Sequence, residues 1–321
     1  MTALAPAGRG RARDPGLLGR APGTALLRLA LLAAIIAALG WLWIRSLGRA
    51  LVTADTFTQS SRVRGRALPL ARYSLRGAVA VRFWIYQRRE PESLIFWGLT
   101  AVIMVAVSIS SILGPVKHPA LLLMSAVFGA AFVGAFHANS VGLTGPPFVF
   151  EALALTGRHR MRSYFAGQDI ALGVIAIPLL TAISFGLAAV AGRPGYGFLG
   201  MAVDLAALGA ALAMSKIFTV VLSYPMDKRA GSPMRRASQG YGSYGLGGVL
   251  GTVACAAVAA IPVIVALLLT NSDPSVVRLP VLVPCAAASG FALAWIGVRI
   301  AASAAEDRLP ELCQVAARSK L

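Results

Sequence analysis

Long apolar stretches separated by short polar ones set the architecture of this chain. Runs dominated by Ala, Leu, Val, Ile, Gly and Phe occupy about residues 25–44, 94–113, 120–136, 170–191, 197–222, 246–269 and 281–300. A helix rises about 1.5 Å per residue, so roughly 20 apolar residues cross a hydrocarbon layer of about 30 Å. The pattern predicts an all-α fold, a polytopic membrane helix bundle. It has six core spans within residues 93–300, one extra N-terminal span at 25–44, and an amphipathic cytoplasmic helix between them.

The polar stretches assign the rest. Residues 1–24 are rich in Ala, Gly, Pro and Arg and predict a disordered basic N-terminus. The run at 25–44 ends in Trp41 and Trp43, an interfacial anchor. It is too long for a signal-peptide core, which favours a retained span. Residues 45–92 carry ten arginines and no run long enough to cross, as expected of a cytoplasmic linker. Within them, residues 71–87 place Leu75, Val79, Phe83 and Tyr86 on one helical face, flanked by Arg72, Arg76 and Arg82. That spacing predicts a helix lying in the membrane surface; the alternative is an extended start of the next span. Residues 301–321 are the cytoplasmic tail.

Composition sharpens this picture. The chain of 321 residues is 57% hydrophobic and 13% charged, against roughly a quarter charged in soluble domains. Its net charge of +18 is explained by where the Lys and Arg residues lie. Lys117, Arg193 and Arg278 stand alone in their loops. Arg158, Arg160 and Arg162 cluster in one intervening loop, and Lys228, Arg229, Arg235 and Arg236 in the next. This alternation puts both ends of the six-span unit in the cytoplasm and requires no nucleic-acid partner. The first span breaks the alternation. Either residues 1–44 are the remnant of a longer, fused ancestor, or this span does not cross in the usual way.

Between the second and third core spans, residues 137–169 contain a short helix at about 148–155. Thr144 or Gly145 can cap it and Pro146 or Pro147 can occupy its first turn. It is apolar on nearly every face, with Glu151 as its charge, and stops at Gly157, Arg158, His159, Arg160 and Arg162. Such a helix outside a bilayer needs a protein surface, which predicts a docking loop for a partner.

These elements resemble the ABC-2 type permeases, the membrane subunits of ABC exporters. The resemblance rests on Arg88-Arg89-Glu90-Pro91 before a span, on Asn139-Ser-Val-Gly142, on the 148–155 helix, on Gly157-Arg158 and on Phe165-Ala-Gly167. It covers about residues 70–315 and departs where Gln168-Asp169 stands in place of a basic residue. It implies that 71–87 is the connecting helix. It further implies an ATPase-coupling helix comprising Pro147, Phe148, Phe150, Glu151, Leu153 and Leu155, framed by Asn139, Gly142, Gly157, Arg158 and Gly167. The implied partners are a cytoplasmic ABC ATPase subunit, a second copy or second permease, and the lipid bilayer. The implied location is the bacterial cytoplasmic (plasma) membrane, multi-pass, and the implied task is export of a hydrophobic or amphipathic substrate.

The chain carries no nucleotide chemistry of its own. Lys117, Lys216, Lys228 and Lys320 follow Val, Ser, Asp and Ser, so none completes a P-loop, and ATP would be bound by the partner subunit. No cofactor, metal site or catalytic cluster is expected; Cys255, Cys285 and Cys313 read as small packing residues. Two ionisable groups fall inside the span at 197–222. Lys216 is expected to snorkel to the surface, and Asp204 either lines a substrate path or accepts hydrogen bonds inside the bundle. At about 100° per residue they lie roughly 120° apart around the helix, so they form no straight relay. The rival readings are a proton-coupled secondary exporter using Asp204 and a non-transport membrane scaffold.

Overall fold

The computed structural model describes Trp41 and residues 74–113, 119–190, 195–226, 254, 257–258 and 279–319. It divides into two units, Met1–Leu42 and Trp43–Leu321. In the first, Trp41 is described, helical and exposed. The expectations for residues 1–24, for the rest of the first span, and for nearly all of the span at 246–269 lie outside the described residues. All that follows concerns the second unit.

Nine helices are described there and, among the described residues, no strand: α1 (Leu75–Arg89), α2 (Pro91–Leu113), α3 (Pro119–His137), α4 (Ser140–Thr144), α5 (Pro147–Ala154), α6 (Arg158–Val190), α7 (Gly195–Val221), α8 (Leu279–Asp307) and α9 (Leu309–Arg318). The all-α expectation holds. Three helices, α6, α7 and α8, are long and apolar enough to cross a membrane, and α1 with α2 makes a fourth if that pair, bent by 77°, counts as one span. The predicted span at 120–136 falls within α3, an apolar helix of 19 residues.

The bend between α1 and α2 has a local cause. Ser74 Oγ accepts the Gly77 N–H at 3.0 Å and starts α1, which ends at Glu90 in extended backbone. Pro91 then opens α2, where its missing N–H costs nothing. α1 buries Phe83 and Gln87 and exposes Arg76, Arg82 and Arg88. Its predicted apolar face is only partly covered, since Leu75 is exposed.

α7 is the axis of the bundle. It is buried over 78% of its apolar window, against 39% for α6 and 28% for α8, so the latter two leave broad faces open. Small residues make this central place accessible. A Cβ built on Gly209 would lie 2.1 Å from the Gly290 carbonyl oxygen, and one on Gly297 2.3 Å from Ala213 Cα. The backbones of α7 and α8 therefore touch, as small-residue seams allow in membranes. Gly134 of α3 meets Ala211 on another side of α7.

One boundary differs from expectation. The basic cluster Arg158, Arg160 and Arg162 lies inside α6, whose first turn begins at Arg158, 12 residues before the predicted start of that span at 170. Met161, Tyr164, Phe165, Gln168 and Leu172 recur at helical spacing and are buried, and that periodicity carries the helix outward past the apolar run. Gly157, at φ 91° with open space around it, makes the left-handed turn between α5 and α6.

Candidate functional site

The loop that carries α4 and α5 sits at one end of the bundle, where α3 ends, α6 begins, and α7 and α8 end. Gly145, at φ 63°, closes α4 and reverses the chain into α5, which Pro146 and Pro147 open as the sequence predicted. α5 then presents two unlike faces. Phe148 is 0% and Leu155 2% exposed, packed with Ala152 among Tyr164 and Phe165 of α6, Ala301, Ala302 and Ala305 of α8, and Leu312 of α9. Phe150 and Leu153 are 76% and 78% exposed. Glu151, between them, pairs with Arg82 of α1. Pro147 is half-buried at the first turn.

The expectation that this whole helix seeks a partner is therefore corrected. Part of the protein surface it needs is supplied by its own chain, and Phe148 and Leu155 are not available for docking. What remains open is a pair of large apolar side chains three residues apart, on neighbouring positions of one helical face.

The framing residues have structural positions that explain their identities. Asn139 Nδ2 donates to the Tyr224 carbonyl at 2.9 Å and its Oδ1 accepts the Tyr224 N–H at 3.2 Å, fastening the chain beyond α7 to the start of α4. A Cβ on Gly142 would lie 2.3 Å from that same Tyr224 carbonyl oxygen, so glycine is what lets the two segments meet. Gly167 performs the same service for α1: a Cβ there would lie 2.6 Å from the Arg76 carbonyl oxygen. Arg158 is exposed and pairs with Glu306 at the end of α8. Asn139, Gly142, Gly157, Arg158 and Gly167 thus hold α1, α4, α6, α7 and α8 around α5.

Behind this surface lies a buried polar network that the sequence reading did not assemble. Lys216 does not snorkel: it is 0% exposed, 3.2 Å from Asp169 Oδ1, and its ammonium donates to Gln168 Oε1 at 3.0 Å. Ser140 Oγ donates to Gln168 Oε1 at 3.3 Å and lies 3.4 Å from Thr219 Oγ1, which donates to the His137 carbonyl at 3.0 Å. His137 is itself fully buried, although its sequence position reads as loop. Its Nδ1–H donates to the Val133 carbonyl at 2.8 Å, which leaves Nε2 to accept from the Gln87 amide at 3.0 Å; Trp97 donates to Gln87 Oε1 at 3.2 Å. α1, α2, α3, α4, α6 and α7 all contribute. A partnered ammonium is the resolution demanded of a charge buried at membrane depth. Gln168 and Asp169 are the counterpart that Lys216 requires. An acid at 169 and a base at 216, each at the same end of adjacent spans of opposite direction, was the legible signal.

Asp204 lies deeper in α7 and is 1% exposed. Ser184 Oγ donates to its Oδ2 at 2.7 Å, while Oδ1 has no hydrogen-bond partner among the described residues. Gly200, one turn earlier, lets α7 approach Ser184 to 2.9 Å of a built Cβ. Asp204 and Lys216 belong to separate groups, as their angular separation predicted. Among the described residues no group of His, Cys, Asp and Glu is placed to hold a metal. Burial pushes the Cys313 thiol up, which keeps it protonated and a weak nucleophile.

Among the described residues three helices, or four if the bent pair counts as one, are long and apolar enough to cross a bilayer, which supports a helical membrane protein. Compared with protein-family models, with curated proteins and with solved structures, the chain matches none.

Proposed function

We propose that this chain is the membrane permease subunit of an ATP-driven ABC-2 type exporter, moving a hydrophobic or amphipathic substrate and powered by a separate ATPase. On this reading the bundle has six core spans, sits in a bacterial cytoplasmic membrane, and pairs with a second copy or second permease. α5 is the coupling helix and its end of the bundle faces the cytoplasm. The observation that carries the reading is the two-faced α5: one face locked into the bundle through Phe148 and Leu155, the other offering Phe150 and Leu153 to a partner. A short helix so anchored transmits force from a docked protein into the spans, a mechanical role that needs no covalent chemistry in this chain.

The test compares tagged wild type with Phe150→Asp/Leu153→Asp after extraction in mild detergent, identifying co-purified proteins by mass spectrometry. Both substituted residues are exposed, so the bundle should stay intact and monodisperse. An ABC ATPase retained by wild type and reduced at least about tenfold in the variant is the expected result, since losing two apolar anchors removes well over 1.4 kcal/mol of binding. Wild type that captures no ATPase overturns the reading.

Asp204 keeps a second reading alive. A carboxylate buried beside Ser184, with one oxygen unpartnered among the described residues, is a group able to exchange a proton. A proton-coupled exporter predicts efflux that survives without any ATPase and is abolished by Asp204→Asn. Efflux lost on ATPase depletion but retained by Asp204→Asn removes it.

A further inference from the structure

α9 is the last helix described, and its sequence gives it two faces. Leu309, Leu312, Cys313 and Ala316 recur at the spacing of one helical stripe, while Glu311, Gln314, Ala317 and Arg318 are exposed. Leu312 is 2% and Ala316 0% exposed, in the same apolar cluster as Phe148, Ala152 and Leu155 of α5. The buried side of α5 therefore rests on α9 and on the end of α8.

Polar fastenings at both ends of α9 tie it to the exit of α7. Arg308 Nη1 donates to the carbonyls of Val220 and Val221, each at 3.3 Å, and its Nε donates to Glu311 at 2.9 Å. Those carbonyls belong to the last turn of α7, where acceptors lack intrahelical donors and a cation is favoured. At the far end Ser319 Oγ accepts the Met226 N–H at 3.1 Å and donates to the Val315 carbonyl at 3.1 Å. α9 thus bridges α5 and residues 220–226, which Asn139 ties in turn to the start of α4.

We infer that α9 is the seat of the docking helix. Arg308, Leu312 and Ser319 act as positioning residues that set how α5 presents Phe150 and Leu153 and that link its displacement to the end of α7. The inference rests on α5 being the docking helix of the proposed exporter. The tail is then a working part of the coupling apparatus, where sequence alone reads it as a cytoplasmic tail.

The test is hydrogen–deuterium exchange by mass spectrometry on the full chain in lipid nanodiscs, following residues 147–155 and 220–226 with the buried part of α7 as internal reference. Leu312→Ala opens a cavity under α5, and exchange at 147–155 should rise about tenfold or more. Arg308→Ala, which keeps the apolar contact, should raise exchange at both segments about threefold. Arg308→Lys, still able to donate to the two carbonyls, should restore most of the protection. Exchange at 147–155 that ignores Arg308→Ala and Leu312→Ala overturns the inference. So does loosening that spreads equally to the α7 reference or that lysine fails to rescue, because it marks α9 as general ballast. The experiment uses no ATPase, so its failure is separate from failure of the exporter reading, which the capture experiment decides.

Discussion

Replacing Lys216 by Met should destabilise the solubilised protein by about 3 kcal/mol, because it leaves the Asp169 carboxylate facing a buried site with its cation gone. Asp169→Leu should do comparable harm by stranding an ammonium that is 0% exposed. The double variant Lys216→Met/Asp169→Leu should regain most of the loss, since two apolar side chains of similar bulk fill the site without an unpaired charge. Denaturation by increasing SDS in mixed micelles, followed by circular dichroism, reads all four proteins on one scale. Simple additivity of the two single effects would show that the residues do not interact energetically and that the network is not organised around them.

The second large effect is expected at the α7–α8 seam. Gly209→Val should cost about 3 kcal/mol or more, because the new side chain meets the Gly290 backbone and not a rotamer that can swing aside. Gly290→Val should match it, as a Cβ there lies 2.3 Å from the Leu205 carbonyl oxygen. Gly173→Ala is the control: its Cβ would meet only the tip of Ile177 at 3.7 Å, so the change should be neutral or mildly stabilising through helix propensity. The same denaturation assay applies. Equal tolerance of all three substitutions would place the seam elsewhere.

The sequence made the helices legible where apolar runs were long. The runs at 170–191, 197–222 and 281–300 each overlap a helix long and apolar enough to cross a membrane, and Pro146-Pro147 marked the start of α5 within a residue. Legibility failed where burial comes from the protein's own tertiary packing. α6 extends outward to Arg158 because Met161, Tyr164 and Phe165 find α5, α8 and α9 to pack against, partners that hydropathy along one segment does not encode. The two faces of α5 escaped for the same reason, since Phe148 and Phe150 are identical in type and differ in fate only because Phe148 meets α6, α8 and α9. His137 and Lys216 read as a loop residue and a snorkelling residue because each was considered with its chain neighbours. Their partners, Gln87 and Asp169, stand 50 and 47 positions away and are recognised only once α1, α3, α6 and α7 converge.

α6 also contains Pro178, which removes one rung of the hydrogen-bond ladder within a helix of 33 residues. The arm from Arg158 to this proline is about 30 Å long and the arm beyond it about 18 Å. With Pro178 as fulcrum, a bend of about 10° swings the Arg158 end through about 5 Å, nearly the rise of one helical turn. The short arm, which holds Ser184 against Asp204, need not leave its place in the bundle for the long arm to travel that far.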